Sequence, residues 1–343
     1  MSSELPDNKH FVIFGSGSAG RRHARALRRL YPKARIQIIK RSSSLQPTQQ
    51  LDGEDIEIVN EPTEALGLRP DLVVIASPAT MHAGDFQSTL PYCQKIILEK
   101  PLAHNLADAN LILDTLHKSS STALVGYHLR FSETPLKLLE LCSDASLGDL
   151  LSASFGYGQH LSLWRKDIDF RSSVTARSDL GGGVLLELSH EIDAIDMLVG
   201  KIASVENAQI STDASITDGI VDTLVDAHMV TDLGVDVLLH LDMTSTTPWR
   251  TWKLQFSNGG LRANLLSGEI FRVNSDKSED LVFKASDDER DSAARSQISS
   301  FMADGHLGSN LEQSHFVIRT IDAIRRSAEI DASVVVDKDY GSM

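Results

Sequence analysis

HFVIFGSGSAG, residues 10–20, decides how this chain is read. HFVIFG (residues 10–15) is a short apolar run rich in β-formers and stopped by glycine, which predicts a buried parallel strand. Gly15-Ser16-Gly17-Ser18-Ala19-Gly20 then has the spacing G-x-G-x-x-G, and residues 19–31 read as a helix with no breaker before Pro32. In that strand–turn–helix setting each glycine has a task. The first permits a tight turn, the second lets the backbone approach a pyrophosphate, and the third lets helix and strand pack closely. The helix N-terminus attracts the anion. These six residues are therefore expected to hold a dinucleotide.

Downstream, strands are expected at 35–39, 56–59, 71–76, 95–98 and 122–126, and helices at 62–68, 81–90 and 105–118, the last capped by Asn105. Strands alternating with helices imply a doubly wound parallel sheet over residues 1–127. Beyond it the pattern changes. A helix is expected at 133–142, a strand at 149–160, a loop at 163–179 and a helical run at 184–198. Long strands follow at 202–211, 221–231, 235–246, 250–257 and 260–273, then helices at 288–304 and 310–329. Residues 128–343 thus read as an α+β domain with a large open, mostly antiparallel sheet. The fold class is α/β with two domains, as a length of 343 residues suggests.

The end of the second strand selects the cofactor. NAD sites usually carry an acid about 20 residues after the glycines, bonding the ribose 2′-OH. Here Lys40-Arg41-Ser42 stands in that place, two cations and a hydroxyl that suit a 2′-phosphate. NADP(H) is the preferred cofactor on this reading and NAD(H) a possible one. These cations also account for part of a local asymmetry, since residues 1–45 carry ten Lys/Arg against two Asp/Glu in a chain of net charge −14. The acidic total argues against nucleic acid as a partner. No apolar run approaches the ~18–20 residues of a membrane span, and no secretory leader is visible. Cys93 and Cys142 are the sole cysteines, and there is no metal-ligand spacing. The expected compartment is the cytoplasm.

Two further motifs carry chemistry. Glu99-Lys100-Pro101 follows the strand 95–98 at the carboxyl edge of the sheet, where ligands bind. There Lys100 can donate to a substrate hydroxyl or carbonyl. His190-Glu191-Ile192-Asp193 follows Gly181-Gly182-Gly183, with His190 and Asp193 three apart on one helix face and Glu187 three residues before His190. A histidine can move a proton to or from a hydroxyl near neutral pH.

GSGSAG, EKP at 99–101 and GGG…HEID at 181–193, in this order and at these distances, resemble the Gfo/Idh/MocA oxidoreductases over residues 10–330. Ala76-Ser77-Pro78 before Thr80-x-His82, the segment Gly126–Phe131 and Glu312 are similar to that family too. The resemblance implies a Rossmann fold in the first domain and oligomer contacts through the C-terminal sheet, making a homodimer or homotetramer. It implies catalytic roles for Lys100, His190 and Asp193. The family commonly has an aspartate four residues before the histidine. That position is Leu186 here; either Glu187, the nearest acid, takes the catalytic role through a one-residue shift, or the third catalytic member is missing. Ser77, Pro78, His82, Glu99 and Lys100 are expected beside the cofactor. Lys100, His128, Arg130, Trp164, Arg165, Arg171, Arg177 and His190 are expected beside the substrate.

Tryptophan can stack on a sugar ring and arginine can clamp an anionic group. Residues 164–190 resemble a branch of the family associated with surface-polysaccharide or nonulosonic-acid sugars. The implied activity is an NADP(H)-dependent interconversion of a secondary alcohol and a ketone on a sugar-like small molecule. A non-catalytic sugar or cofactor sensor, and a redox-neutral glycosidase or lyase on the same residues, are the rival readings.

Overall fold

The structure, a computed structural model, describes residues 9–40, 55–164, 169–286, 289–305 and 308–336. The chain divides into two compact units. One comprises residues 1–131 and 290–315, the other residues 132–289 and 316–343. The sequence reading put everything after residue 127 into the second domain. The helix near residue 300 instead belongs with the first, for a packing reason given below.

In the first unit the order is β1 (His10–Phe14), α1 (Ser18–Leu30), β2 (Arg35–Ile39), β3 (Glu57–Val59), α2 (Pro62–Leu66), β4 (Leu72–Ile75), α3 (His82–Thr89), β5 (Lys95–Leu98), α4 (Leu106–His117) and β6 (Thr122–Val125). The six strands are all parallel in the order β3-β2-β1-β4-β5-β6. Strand order reverses at β1, the switch point where such sheets bind ligands. The central strands are buried on both faces, which is why HFVIF, LVVI and KIIL read as continuous apolar runs. Asn105 caps α4, its side chain accepting from the Asp108 amide at 2.8 Å.

The second unit holds α5 (Glu133–Cys142), β7 (Leu150–Gly158), α6 (Leu161–Trp164), α7 (Val184–Glu187), α8 (Ser189–Leu198), β8 (Ile202–Ser211), β9 (Leu224–Thr231), β10 (Asp236–Asp242), β11 (Trp249–Phe256), β12 (Gly259–Asn264), β13 (Glu269–Val273) and β14 (Glu279–Lys284). After β14 come α9 (Glu289–Met302), α10 (Leu311–Ile330) and β15 (Val334–Val335). The nine-stranded sheet runs β14-β13-β12-β11-β7-β10-β9-β8-β15. All its pairs are antiparallel except β7 with β10. Along β9 and β10 buried residues (Val225, Ala227, Met229; Val237, Leu239, Leu241) alternate with accessible ones (Asp226, His228; Asp236, Leu238, His240). One face therefore packs and the other is open.

Three expectations needed correction. The single strand at 260–273 is two strands, β12 and β13, turned at Gly268 with φ +69°. β14 and β15 were not foreseen. The helical run 184–198 is broken at Leu188 (φ −100°, ψ 21°) into α7 and α8.

Candidate active-site residues

Sheet order in the first unit lines up the carboxyl ends of β2, β1, β4, β5 and β6, so that Lys40, Gly15, Ser77, Lys100 and the turn His128–Phe131 follow successive strands along one edge. At β1 the glycines divide their work. Gly15 has φ +95°, and a Cβ there would lie 2.5 Å from the Ala76 carbonyl oxygen at the end of β4. A Cβ on Gly20 would run into the Gly15 carbonyl. Gly17 is different, because a Cβ there would meet nothing within 4 Å. Gly17 is also the N-cap of α1, which has no side-chain cap and no acid in its first turn. Ser16 lies within this turn, and Ser18 and Ala19 open the helix. The turn thus offers helix amides and an open approach to an anion, which fits the pyrophosphate of a dinucleotide.

Glu99 and Lys100 leave β5 together but differ in fate. Glu99 is buried. Its Oε1 accepts from an Arg22 guanidinium nitrogen at 2.9 Å and lies 2.6 Å from His23 Nε2, both on α1. Burial alone would raise the Glu99 carboxyl, but Arg22, His23 and Lys100 outweigh it and hold the group well below the usual carboxylate range. Glu99 therefore clamps the first helix to β5. The next peptide, Lys100–Pro101, is cis, and Lys100 is half-buried.

His82 is buried, with Nδ1 3.2 Å from the Leu102 carbonyl and Nε2 3.0 Å from that of Ser77. Burial pushes its ring toward the neutral form, which can donate to one of these two. Both ring nitrogens face main chain, so His82 shapes the turn after β4. The Ser77 hydroxyl donates to Asp85 at 2.6 Å, and Pro78 leads into the short turn Ala79–Met81. Lys40 ends β2 half-buried, its amide donating to the Val59 carbonyl at 2.8 Å. Arg41 and Ser42 lie outside the described residues, as does Arg165. His128 and Arg130 are half-buried in the turn after β6.

In the second unit the triple glycine threads a cage of main-chain oxygens. A Cβ on Gly182 would come within 2.7 Å of the carbonyls of Val174, Thr175 and Arg177. Gly183, at φ +109°, sits against Asp222. Asp222 closes the start of α7: its carbonyl accepts from the Val184 amide at 2.8 Å, and its Oδ2 from the Leu185 amide at 2.7 Å. The break at Leu188 separates Glu187, at the end of α7, from His190 and Asp193, which share α8. Glu187 accepts from the Thr175 hydroxyl at 3.3 Å. His190 is 7% exposed and Asp193 is buried.

Two of the arginines expected at the substrate, Arg171 and Arg177, have partners within their own segment or close by. Arg171 donates twice to the Ser215 carbonyl, at 3.0 and 2.7 Å, and stacks on Phe170. Arg177 forms a two-pronged pair with Asp179, at 2.9 and 2.6 Å. Both order the segment 169–180, which Asp218 also braces by accepting from the Ser178 and Ile220 amides. Trp164 packs its ring 5.8 Å from that of Tyr157. The glycine turn, Lys40, Ser77, His82, Glu99, Lys100, His128 and Arg130 thus belong to the first unit. Trp164, Arg171, Arg177, Glu187, His190 and Asp193 belong to the second.

Sequence reasoning missed Asp222, whose partner is 37 residues away in sequence. It also missed the engagement of Glu191 with Arg250 and Trp252 across 59 and 61 residues. No local spacing signals either.

Residues 9–127 match the family model GFO_IDH_MocA, described as an oxidoreductase family with an NAD-binding Rossmann fold. The nucleotide-binding unit is thus similar to that of the Gfo/Idh/MocA oxidoreductases. Over 175 residues it is 25% identical to glucose-6-phosphate 3-dehydrogenase of Bacillus subtilis, an alignment of 50% of this chain that spans only 49% of the length of that relative. Over 279 residues it is 23% identical to D-xylose 1-dehydrogenase (NADP(+)) 2 of Haloferax volcanii, covering 78% and 81% of the two chains. Among solved structures, levoglucosan dehydrogenase in complex with NADH has the same fold, with a TM-score of 0.81 at 20% identity over 97% of this chain and 100% of the other.

Proposed function

We propose that this protein is an NADP(H)-dependent oxidoreductase that interconverts a secondary alcohol and a ketone on a sugar or sugar derivative. The observation that carries this reading is the open anion cradle at Gly17, on the same sheet edge as Lys100 and two strands from it. The sugar class is supported by the names of the Bacillus and Haloferax relatives. The preference for NADP(H) rests on Lys40 at the end of β2, followed in sequence by Arg41 and Ser42.

When bound, the nicotinamide supplies the acceptor or donor of the hydride. Lys100 donates to the substrate oxygen and orients it. His190 takes the hydroxyl proton in oxidation and returns it in reduction, with Asp193 one turn further along α8. His128 and Arg130 belong to the substrate side of this reading. Trp164 offers a ring face for a sugar. The open face of the nine-stranded sheet, where Leu238 is 57% exposed, serves self-association into a homodimer or homotetramer. Light scattering that returns a monomer mass would remove that part.

The test is turnover with NADP⁺ and NAD⁺ on D-xylose, glucose 6-phosphate, levoglucosan and a wider panel of polyols and uronic acids. Lys100→Ala and His190→Ala should each lose about 10²–10⁴-fold in kcat while NADPH still binds by fluorescence titration. Normal turnover by either variant removes that residue from the reaction. Equal or better kcat/KM with NADH removes the NADP(H) preference.

A further inference from the structure

Position 186, where the family resemblance leads one to expect an aspartate, is Leu186, and Glu187 sits on a different helix from His190. The histidine's own neighbour in sequence is an acid, Glu191. This carboxylate is wholly buried. Its Oε1 accepts from Arg250 Nε at 2.8 Å, with a second guanidinium nitrogen 2.5 Å away, and its Oε2 accepts from Trp252 Nε1 at 2.5 Å. The same Oε1 stands 3.5 Å from His190 Nε2. Arg250 is fixed in turn, its guanidinium lying over the Tyr157 ring at 5.1 Å and near that of Trp252 at 5.9 Å.

A buried ion pair of this kind adds little stability over a packed apolar pair. Its presence beneath a candidate proton carrier therefore calls for another account. We propose that Glu191, held by Arg250 and Trp252, is the positioning residue that sets the protonation of His190. A carboxylate at this distance favours the imidazolium that forms when the ring takes a proton, and the arginine limits how far. Burial pushes the Glu191 carboxyl up, against the pull of Arg250 and Trp252.

Other described charges stand on the same and neighbouring elements. On α8 itself there are also Asp193 and Asp196. On α7 there is Glu187, bonded by Thr175. On α5, which packs on α8, Glu133 is bonded by Ser286, and Lys137 pairs with Glu140. On β7 the titratable group is Tyr157, beneath Arg250.

The proposal rests on the reading of His190 as the proton carrier, and its test is independent of turnover. Protein labelled with ¹⁵N-histidine is titrated by NMR, with the His190 ring assigned from a His190→Gln sample. Glu191→Gln leaves Arg250 without its anion and should lower the His190 midpoint by about one pH unit. Trp252→Phe keeps a ring and deletes one donor to the carboxylate, so Glu191 protonates more readily and the midpoint should fall as well, by less. A merely structural role predicts neither shift. A midpoint unchanged in Glu191→Gln overturns the proposal. If that chain does not fold, an unchanged midpoint in Trp252→Phe overturns it. Should the midpoints move while His190→Ala turns over normally, the coupling stands and the reading of His190 as proton carrier fails.

Discussion

Glu99 is the residue whose chemistry is most constrained by its surroundings. It is 5% exposed and shared between Arg22 and His23. Removing one partner of a buried ion pair typically costs about 3–5 kcal/mol, because the other charge is left unpaired. Glu99→Gln should therefore lower unfolding stability by about 3 kcal/mol at pH 7, read by urea titration. The pH dependence follows from the direction of the shift. A carboxyl that is more acidic folded than unfolded contributes fully above the unfolded range near pH ~4.3, and the contribution is lost as pH falls below it. The gap between wild type and Glu99→Gln should accordingly narrow below about pH 4. A gap that is constant down to pH 3 would show that the carboxyl is not held ionised by its partners. That EKP follows the end of a sheet strand was legible. That its glutamate turns inward while its lysine does not was not legible, because the partners lie 76 and 77 residues earlier.

At the scale of elements, the glycine turn allows fold and binding to be separated. Gly20 is a packing glycine and Gly17 is an open one. Gly20→Ala should cost about 1–3 kcal/mol through overpacking against the Gly15 carbonyl, lowering Tm without any ligand. Gly17→Ala should melt within a degree or two of wild type on its own and lose the rise in Tm that NADPH gives the parent. If Gly17→Ala gains the same rise, the pyrophosphate does not approach there. The first sheet was legible because its strands are short apolar runs between clear breakers. The turn between β12 and β13 was not. Leu265 and Leu266 continue the apolar run, and only Gly268, with its positive φ, marks the reversal. The break at Leu188 carries no glycine or proline at all. Arg171 and Arg177 bond to Ser215 and Asp179, contacts that their residue type alone does not reveal.

For the whole molecule, the fact that matters most is that the first unit is not one stretch of chain. Ala294, Ile298 and Phe301 of α9 are buried in the same core as Phe11, Ile13, Leu27, Ile36, Ile97 and Leu124. Lys95 reaches the end of that helix, donating to the Phe301 and Met302 carbonyls at 3.0 and 3.2 Å. Residues 1–131 expressed alone should therefore melt without a sharp transition and bind a hydrophobic dye. A peptide of residues 290–315 added in excess should restore cooperativity by mass action. A sharp melt of 1–131 by itself would show that α9 is dispensable to that core. The chain passes between units after 131, after 289 and again inside α10, after 315. Inheritance is constrained accordingly. A single recombination point after the last Rossmann strand would exchange the six-stranded sheet but leave behind the helix that seals it. Cofactor-binding halves can be traded among relatives only when two separated segments travel together, or when the recipient's own α9 already fits the new core.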